Sequence, residues 1–222
     1  NQKLLKKWFV KNRFFSKKKK ILLMLDYIGY DISLALLKNE FFQKLIFVYA
    51  SRYRLNKKNI ISALVELGVF LSQFSSKDYK KSNDALHNDL FFDGFKHQLK
   101  LAEEHNRWFT KDNLCYALNQ WSGLLQEKPL NEWLNSYSIP VKNPKNIAII
   151  MAGNIPLVGF HDFLSALVCG HKITIKQSSN DKHLLPFLVA YLNHIKPNLK
   201  GTIKFSDQRL EDFDAVIATG SD

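Results

Sequence analysis

The 222-residue sequence predicts an α/β fold, in which a helical region comes first and a mainly parallel sheet follows. Between Ile60 and Tyr137 the apolar residues recur at intervals of three and four, as on one face of an α-helix. After Pro140 and Pro144, short apolar runs alternate with helical patterns, which is typical of parallel strands joined by crossover helices. The apolar content of 46% is that of a globular protein, so a largely disordered chain is excluded.

The positive charge of the sequence is confined to its first quarter. The net charge is +12, and residues 1–58 hold 15 Lys or Arg against 3 Asp or Glu, whereas residues 59–222 hold 17 of each. The neutral remainder has no excess of basic residues that would attract a polyanion, so we expect no nucleic-acid partner. No apolar run reaches the roughly 18 uncharged residues of a membrane span, so no transmembrane segment is expected.

Residues 1–58 are therefore predicted to be a basic N-terminal extension. They consist mainly of Lys, Asn, Phe, Ile, Leu and Tyr, and they lack the caps and the Pro or Gly residues that delimit helices and strands. This composition favours a non-functional or loosely packed extension that is not native structure. The alternative is a basic adaptor arm that binds anionic lipid or nucleic acid through Lys clusters beside aromatic side chains.

Four helices are predicted in residues 59–140, the helical region. Thr110 is expected to cap the third helix, because a Thr side-chain oxygen accepts a hydrogen bond from a free backbone N–H at a helix start. Residues 75–88 are polar and predict a loop between the first two helices. The apolar faces of the helices lie at Ile60, Leu64, Leu67, Leu71 and Phe74, at Phe91, Phe95, Leu99 and Ala102, at Leu114, Ala117, Trp121 and Leu124, and at Leu130, Trp133, Leu134 and Tyr137.

Residues 141–222 are predicted to form a parallel sheet with its crossover helices. Gly170 is expected to end the first crossover helix, since glycine readily follows a helix C-terminus. Because the sequence stops just after a strand, and parallel sheets are normally covered on both faces, we expect the chain to be a fragment. The predicted strands are residues 147–152, 172–177, 202–205 and 214–220, and the predicted helices are residues 157–169 and 182–195.

Small, polar turns follow three of the predicted strands, at residues 152–154, 176–179 and 219–221. In open α/β sheets ligands bind beyond the carboxyl ends of the strands, so the three turns are expected to converge on one site. Gly allows close backbone approach, and Lys, Ser and free amides suit a phosphate or a ribose. A nucleotide site is therefore predicted, although the sequence carries neither a GxGxxG fingerprint nor a Walker motif.

The order and spacing of these turns resemble a known family. The resemblance is carried by AIIMAGNIPLVGFHDFLSALVCGHKITIKQSSNDKHLLPFL and DAVIATGS, and upstream by LVELGVFLSQF and LFFDGFKHQLKLAEEHNRWFT. These segments are similar to the aldehyde dehydrogenase superfamily and, within it, to bacterial acyl-CoA reductases of the bioluminescence type. The resemblance covers the last three quarters of the chain. It implies an aldehyde dehydrogenase-like fold, in which a helical N-terminal region precedes part of a Rossmann-like cofactor-binding domain.

The resemblance also implies an activity, the reduction of a fatty acyl-CoA or other acyl thioester to a fatty aldehyde. Asn154 matches the asparagine whose amide helps to form the oxyanion hole, and Pro156 matches the proline that shapes the following turn. One such donor lowers the barrier by on the order of 3 kcal/mol. The residues alone leave an alternative open, in which Asn154 adopts a left-handed or capping conformation.

Cofactor contacts are implied in the second turn. Lys176 matches a lysine that touches the adenosine ribose, but Gln177 and Ser179 replace the proline and the glutamate of the family pattern. A carboxylate at Ser179 would bind the ribose hydroxyls and repel a 2′-phosphate, so its absence favours NADPH over NADH. Lys176, Ser178 and Ser179 are the expected phosphate contacts.

Two further contacts are implied by the other turns. Gly220 and Ser221 match the Gly-Ser pair near the cofactor pyrophosphate, where amides and hydroxyls are suitable donors. Ala152 is expected to contact the cofactor through its backbone at the end of the first strand.

The nucleophile implied by the resemblance is a cysteine, which is expected beyond Asp222, so the chain alone is predicted to be inactive. Cys115 and Cys169 lie in apolar surroundings and are interpreted as small buried side chains. Two cysteines suit a reducing compartment, which predicts a cytoplasmic protein. The histidines, His161 and His171 included, show no metal-binding spacing, and no metal is expected.

The full-length protein is expected to form a homo-oligomer. A non-catalytic nucleotide-binding module is the first alternative function, because it would use the same turns without a cysteine. The adaptor acting through residues 1–58 is the second.

Overall fold

The structure, a computed structural model, describes residues 57–141 and 143–220. The predicted basic extension lies outside these residues except for Lys57 and Lys58, which begin the first helix. The predicted site residue Ser221 also lies outside them.

Four helices occupy the first part of the described chain, as the apolar spacing predicted. Thr110 caps the third helix as expected, since its Oγ1 accepts a hydrogen bond of 3.3 Å from the backbone N–H of Asn113. None of the helices in residues 57–141 and 143–220 is both long and apolar enough to cross a membrane. The four are α1 (Lys57–Ser72), α2 (Asn88–His105), α3 (Lys111–Leu124) and α4 (Glu127–Leu134).

A four-stranded parallel sheet follows the helices, in the order β3-β2-β1-β4. Two helices form the crossovers from β1 to β2 and from β2 to β3, and a short 3₁₀ turn at Pro197–Leu199 precedes β3. The strands are β1 (Asn146–Ile150), β2 (Lys172–Lys176), β3 (Ile203–Phe205) and β4 (Ala215–Ala218), and the crossover helices are α5 (Phe160–Val168) and α6 (Leu184–Ile195). The predicted α/β class is therefore confirmed.

Helix α5 begins three residues later than the sequence predicted. The prediction placed its start at Leu157, but Leu157 has a left-handed backbone with φ of 60°, which a right-handed helix cannot include. The connection from β1 to α5 is consequently longer than expected. The predicted end is correct, because Gly170 has φ of 80° and its N–H donates to the carbonyl of Leu167 at 2.9 Å.

The helices and the sheet share one hydrophobic core. Aromatic rings join α1 and α2 to α6: the rings of Phe70 and Tyr191 stack at 4.5 Å, and Phe95 meets Phe74 at 4.9 Å and Phe187 at 5.4 Å. These contacts bury the rings and hold the helical region against α6, a crossover helix of the sheet. The cleft described below is built from the helical region and the sheet together.

Phe95 tests this shared core. Its ring is completely buried between α1 and α6, so Phe95→Ala is expected to lower the free energy of unfolding by about 3–5 kcal/mol. Leu90→Ala, at an exposed position of the same helix, is the control and is expected to change it by less than about 1 kcal/mol. Urea denaturation measures both, and equal losses would contradict the packing of α2 on α6.

Candidate functional site

An open cleft of about 900 Å³ lies at the carboxyl ends of β1, β2 and β4. In the order β3-β2-β1-β4, the strands β2 and β3 lie on one side of β1, and β4 lies on the other side. Where the strand order reverses in this way, a crevice opens at the carboxyl end of the strand, here β1. The walls come from residues 105–108, 150–154, 176–178 and 219–220 and from Asn180. The three polar turns therefore converge, and the connection between α2 and α3 joins them.

The predicted site residues divide into three groups by position. Ser179 is exposed and is not among the residues that line the cleft. Ser221 lies outside the described residues. Those that line the cleft are Ala152, Asn154, Lys176, Ser178 and Gly220.

The first two turns touch each other at Gly153. A Cβ added to Gly153 would lie 2.5 Å from Oγ of Ser178, which is far below a van der Waals contact. The Ser178 hydroxyl also accepts a hydrogen bond of 3.3 Å from the backbone N–H of Asn180. Glycine is therefore required here, because any side chain would separate the two turns.

Asn106 connects the helical region to both turns, and sequence reasoning did not identify it. Only 8% of its surface is exposed, and its Nδ2 donates to the carbonyls of Gly153 at 2.6 Å and Asn180 at 3.3 Å. Its Oδ1 accepts from the backbone N–H of Trp108 at 3.0 Å. Asn106 belongs to the segment EEHNRWFT, but no local pattern distinguishes this buried asparagine from one in a solvated loop.

The side chain of Asn154 is exposed on the cleft wall and forms no hydrogen bond within the described part of the chain. Its backbone is not left-handed, and helix α5 begins without a side-chain cap. The structure thus gives no support to a capping or left-handed role for Asn154. Its amide belongs to a residue that lines the cleft, and the described part of the fold does not use it as a donor.

Basic groups predominate around the cleft. Arg107 and Lys176 line it, and no Asp or Glu does so among the residues that the structure describes. His105 lies beside them, and its Nδ1 is 3.2 Å from Nε2 of His183. Burial, with His105 and His97 nearby, lowers the pKa of His183. The lowered pKa disfavours a positive charge on His183, so the preference of the cleft for an anionic ligand rests on Arg107 and Lys176.

A buried carboxyl group, that of Asp181, follows the second turn in the sequence. Asp181 is 8% exposed, and burial raises the pKa of its carboxyl from 3.8 to about 6, although a hydrogen bond from the backbone N–H of Leu157 opposes the shift. Its Oδ1 has no hydrogen-bond partner within residues 57–141 and 143–220. Ionisation of Asp181 is therefore less favourable in the folded protein than in the unfolded chain.

Comparison with known proteins assigns the chain to a family. Residues 55–222 match the family model described as acyl-CoA reductase (LuxC). The chain belongs to this acyl-CoA reductase family. No match was found among curated proteins or among solved structures. The predicted resemblance to acyl-CoA reductases is thereby confirmed, and membership implies a reductase that acts on an acyl substrate.

Neither cysteine of this family member lies in the lining of the cleft. Cys115 is buried in α3, and Cys169 is partly buried at the end of α5. Burial raises the pKa of both thiols, and for Cys115 a hydrogen bond with Tyr79 partly offsets the increase. A raised pKa disfavours the nucleophilic thiolate, so both cysteines fit their predicted packing role.

The two histidines singled out in the sequence also have local structural contacts. His161 packs against Trp133 with ring centroids 5.4 Å apart. His171 Nδ1 accepts a hydrogen bond of 3.0 Å from the backbone N–H of Lys145, away from the cleft. In the described parts of the chain, no three His, Cys, Asp or Glu side chains are grouped as metal ligands would be.

The contact between the first two turns predicts a large effect of a small substitution. Gly153→Ala forces Ser178 to move, so we expect it to lower the free energy of unfolding by about 1–3 kcal/mol. Gly123→Ala is the matched control, because nothing lies within 4 Å of its added Cβ. Thermal and urea unfolding compare the two, and equal stability of both variants would contradict the close approach.

Asp181 predicts a pH dependence of stability. Its folded pKa of about 6 lies above the unfolded value of 3.8, so the folded state binds more protons between these values and stability falls as the pH rises through them. The fall from this group is on the order of 3 kcal/mol. Asp181→Asn is expected to remove it, making the variant more stable than the wild type near neutral pH. Urea unfolding at a series of pH values measures this, and parallel curves for the two proteins would contradict it.

Proposed function

We propose that this chain supplies the NADPH site and the oxyanion-stabilising amide of a reductase that converts a fatty acyl-CoA, or another acyl thioester, to a fatty aldehyde. The observation that carries the proposal is the cleft at the carboxyl ends of the parallel strands, which has cationic side chains and no described carboxylate in its lining. Family membership supports reduction of an acyl substrate. The geometry supports the nucleotide site, because three turns and a topological reversal coincide there.

The donors of the cleft fit a phosphorylated dinucleotide. When bound, NADPH would supply the hydride for the reduction. Lys176 and Ser178 would bind its additional phosphate by charge-assisted and hydroxyl hydrogen bonds. Ser179, which is exposed and does not line the cleft, would add a hydroxyl to these contacts, while Gly220, Ser221 and the backbone at Ala152 would contact the rest of the cofactor.

NADPH is favoured over NADH for an electrostatic reason. A carboxylate beside the ribose would repel a 2′-phosphate, and neither Gln177 nor Ser179 supplies one. The cationic lining supports the same preference, since each added phosphate charge is attracted to Arg107 and Lys176.

Asn154 would act on the acyl carbonyl. Its amide would donate a hydrogen bond to the thioester oxygen, and that bond would strengthen as negative charge develops on the oxygen. Pro156 is buried two residues later and limits the movement of this turn. The attacking cysteine would come from a part of the protein after Asp222, because Cys115 and Cys169 do not line the cleft. We therefore expect the 222-residue chain to bind cofactor without reducing a thioester.

The remaining parts of the proposal concern the whole protein. We propose an aldehyde dehydrogenase-like arrangement, in which the helical region and the parallel sheet together hold the cofactor. We also propose a homo-oligomer in the cytoplasm. The two unpaired cysteines, Cys115 and Cys169, support a reducing compartment.

Cofactor binding by the chain tests the proposal. We expect NADPH to bind about tenfold or more tightly than NADH, because one charge-assisted phosphate contact contributes at least about 1.4 kcal/mol. Lys176→Met is expected to reduce this preference, and added salt is expected to weaken NADPH binding more than NADH binding. Titration calorimetry measures all of these affinities.

Asn154→Ala separates binding from chemistry. It is expected to leave NADPH affinity unchanged and, in a protein extended beyond Asp222, to lower kcat by about 100- to 1000-fold.

Equal affinity of the wild type for NADPH and NADH would refute the cofactor preference. Tight cofactor binding without any thioester reduction by the extended protein would instead favour a non-catalytic nucleotide-binding module.

A further inference from the structure

An exposed tryptophan stands on the wall of the cleft. Trp108 is 63% exposed, and it is the only Phe, Tyr or Trp among the described residues that line the cleft. An aromatic side chain that is so exposed gains little from packing in the core. Its position on a cleft wall therefore points to a ligand with an aromatic surface.

The backbone around Trp108 is fixed by hydrogen bonds on both sides. Its N–H donates to the buried Oδ1 of Asn106 at 3.0 Å, and its carbonyl accepts from Nδ2 of Asn113 at 2.8 Å. The next residue, Phe109, is completely buried, and its N–H donates to the carbonyl of Asn106 at 2.9 Å. The indole thus projects from a rigid turn, which lowers the entropy lost when a flat group stacks on it.

Arg107 precedes this tryptophan and lines the same cleft. Its side chain is exposed, and it forms no ion pair or hydrogen bond with any other residue in the described ranges. With Lys176 also in the lining and no described Asp or Glu there, a guanidinium at this position is available for an anion. Guanidinium groups bind phosphate through two parallel hydrogen bonds.

We propose that Arg107 and Trp108 form a subsite for adenosine that carries a phosphate on its ribose. The indole stacks on the adenine, and the guanidinium binds the ribose phosphate. The inference rests on the proposed function, in which a nucleotide occupies this cleft, and it assigns part of the binding to the helical region. Two components of the proposed reaction contain such a group: NADPH carries a 2′-phosphate, and acyl-CoA carries a 3′-phosphate.

Binding of two adenosine bisphosphates to the chain tests the subsite. The probes are adenosine 2′,5′-bisphosphate and adenosine 3′,5′-bisphosphate, with AMP as the probe that lacks the second phosphate. We expect at least one bisphosphate to bind about tenfold more tightly than AMP, and Arg107→Met to remove this difference. Preference for the 2′,5′ probe assigns the subsite to NADPH, and preference for the 3′,5′ probe assigns it to the acyl carrier.

Trp108 has a spectroscopic readout that a purely structural role would not give. Trp108→Ala is expected to weaken the bisphosphate and AMP alike by about tenfold, since stacking does not depend on the second phosphate. Trp108→Phe retains a stacking surface, so binding persists while the ligand-induced quenching of tryptophan fluorescence disappears. Arg209→Met and Tyr116→Ala are matched controls, because both side chains are exposed outside the cleft lining, and neither should change any affinity.

The outcomes distinguish this inference from the proposed function. Absence of bisphosphate binding to the wild type, or binding that Arg107→Met and Trp108→Ala leave unchanged, would overturn the subsite. NADPH binding that depends on Lys176 but not on Arg107 or Trp108 would also overturn it, while the proposed function would stand. Failure of NADPH to bind, with binding of the 3′,5′ probe dependent on Arg107, would retain the subsite and reject the proposed cofactor site.

Discussion

The buried amide of Asn106 is the constraint that holds the cleft together. Through one side chain it joins the end of α2 to the carbonyls of Gly153 and Asn180, which belong to different turns of the sheet. A buried polar group left without its partners costs about 1–3 kcal/mol, so the three segments are favoured in one arrangement. The positions of Arg107 and Trp108 follow directly, because the same amide oxygen fixes the backbone of Trp108.

The parallel sheet provides the second condition for the site. The strand order β3-β2-β1-β4 places the carboxyl ends of β1 and β4 next to each other. After β1 the chain continues to β2 and β3 on one side of β1, and it then returns to form β4 on the other side. The space left between these two directions of the chain is the cleft. Gly153 allows the first turn to pack directly against Ser178 of the second turn, and both residues line the cleft.

The chemistry of the cleft suits binding and charge stabilisation better than nucleophilic attack. Its lining offers the unused amide of Asn154 and the cations Arg107 and Lys176. Cys115 and Cys169 lie elsewhere, and burial raises the pKa of each thiol. This arrangement agrees with the proposed roles of the cleft, which are to hold an anionic cofactor and to polarise the acyl oxygen.

The sequence by itself determined the class of the elements and the family. Helical spacing, the Thr110 cap and the alternation of strands with helices are local properties, and local patterns specify local structure. The convergence of the three turns was also predictable, because it follows from parallel strands alone.

Only the tertiary structure decided which residues outside those turns belong to the cleft. Asn106 reaches partners 47 and 74 residues away, and no local pattern encodes such hydrogen bonds. Likewise, α5 begins at Phe160 because Leu157 has a left-handed backbone, although the sequence from Leu157 onward predicts a helix. Burial and long-range hydrogen bonding set these features, and both depend on the packed fold rather than on neighbouring residues.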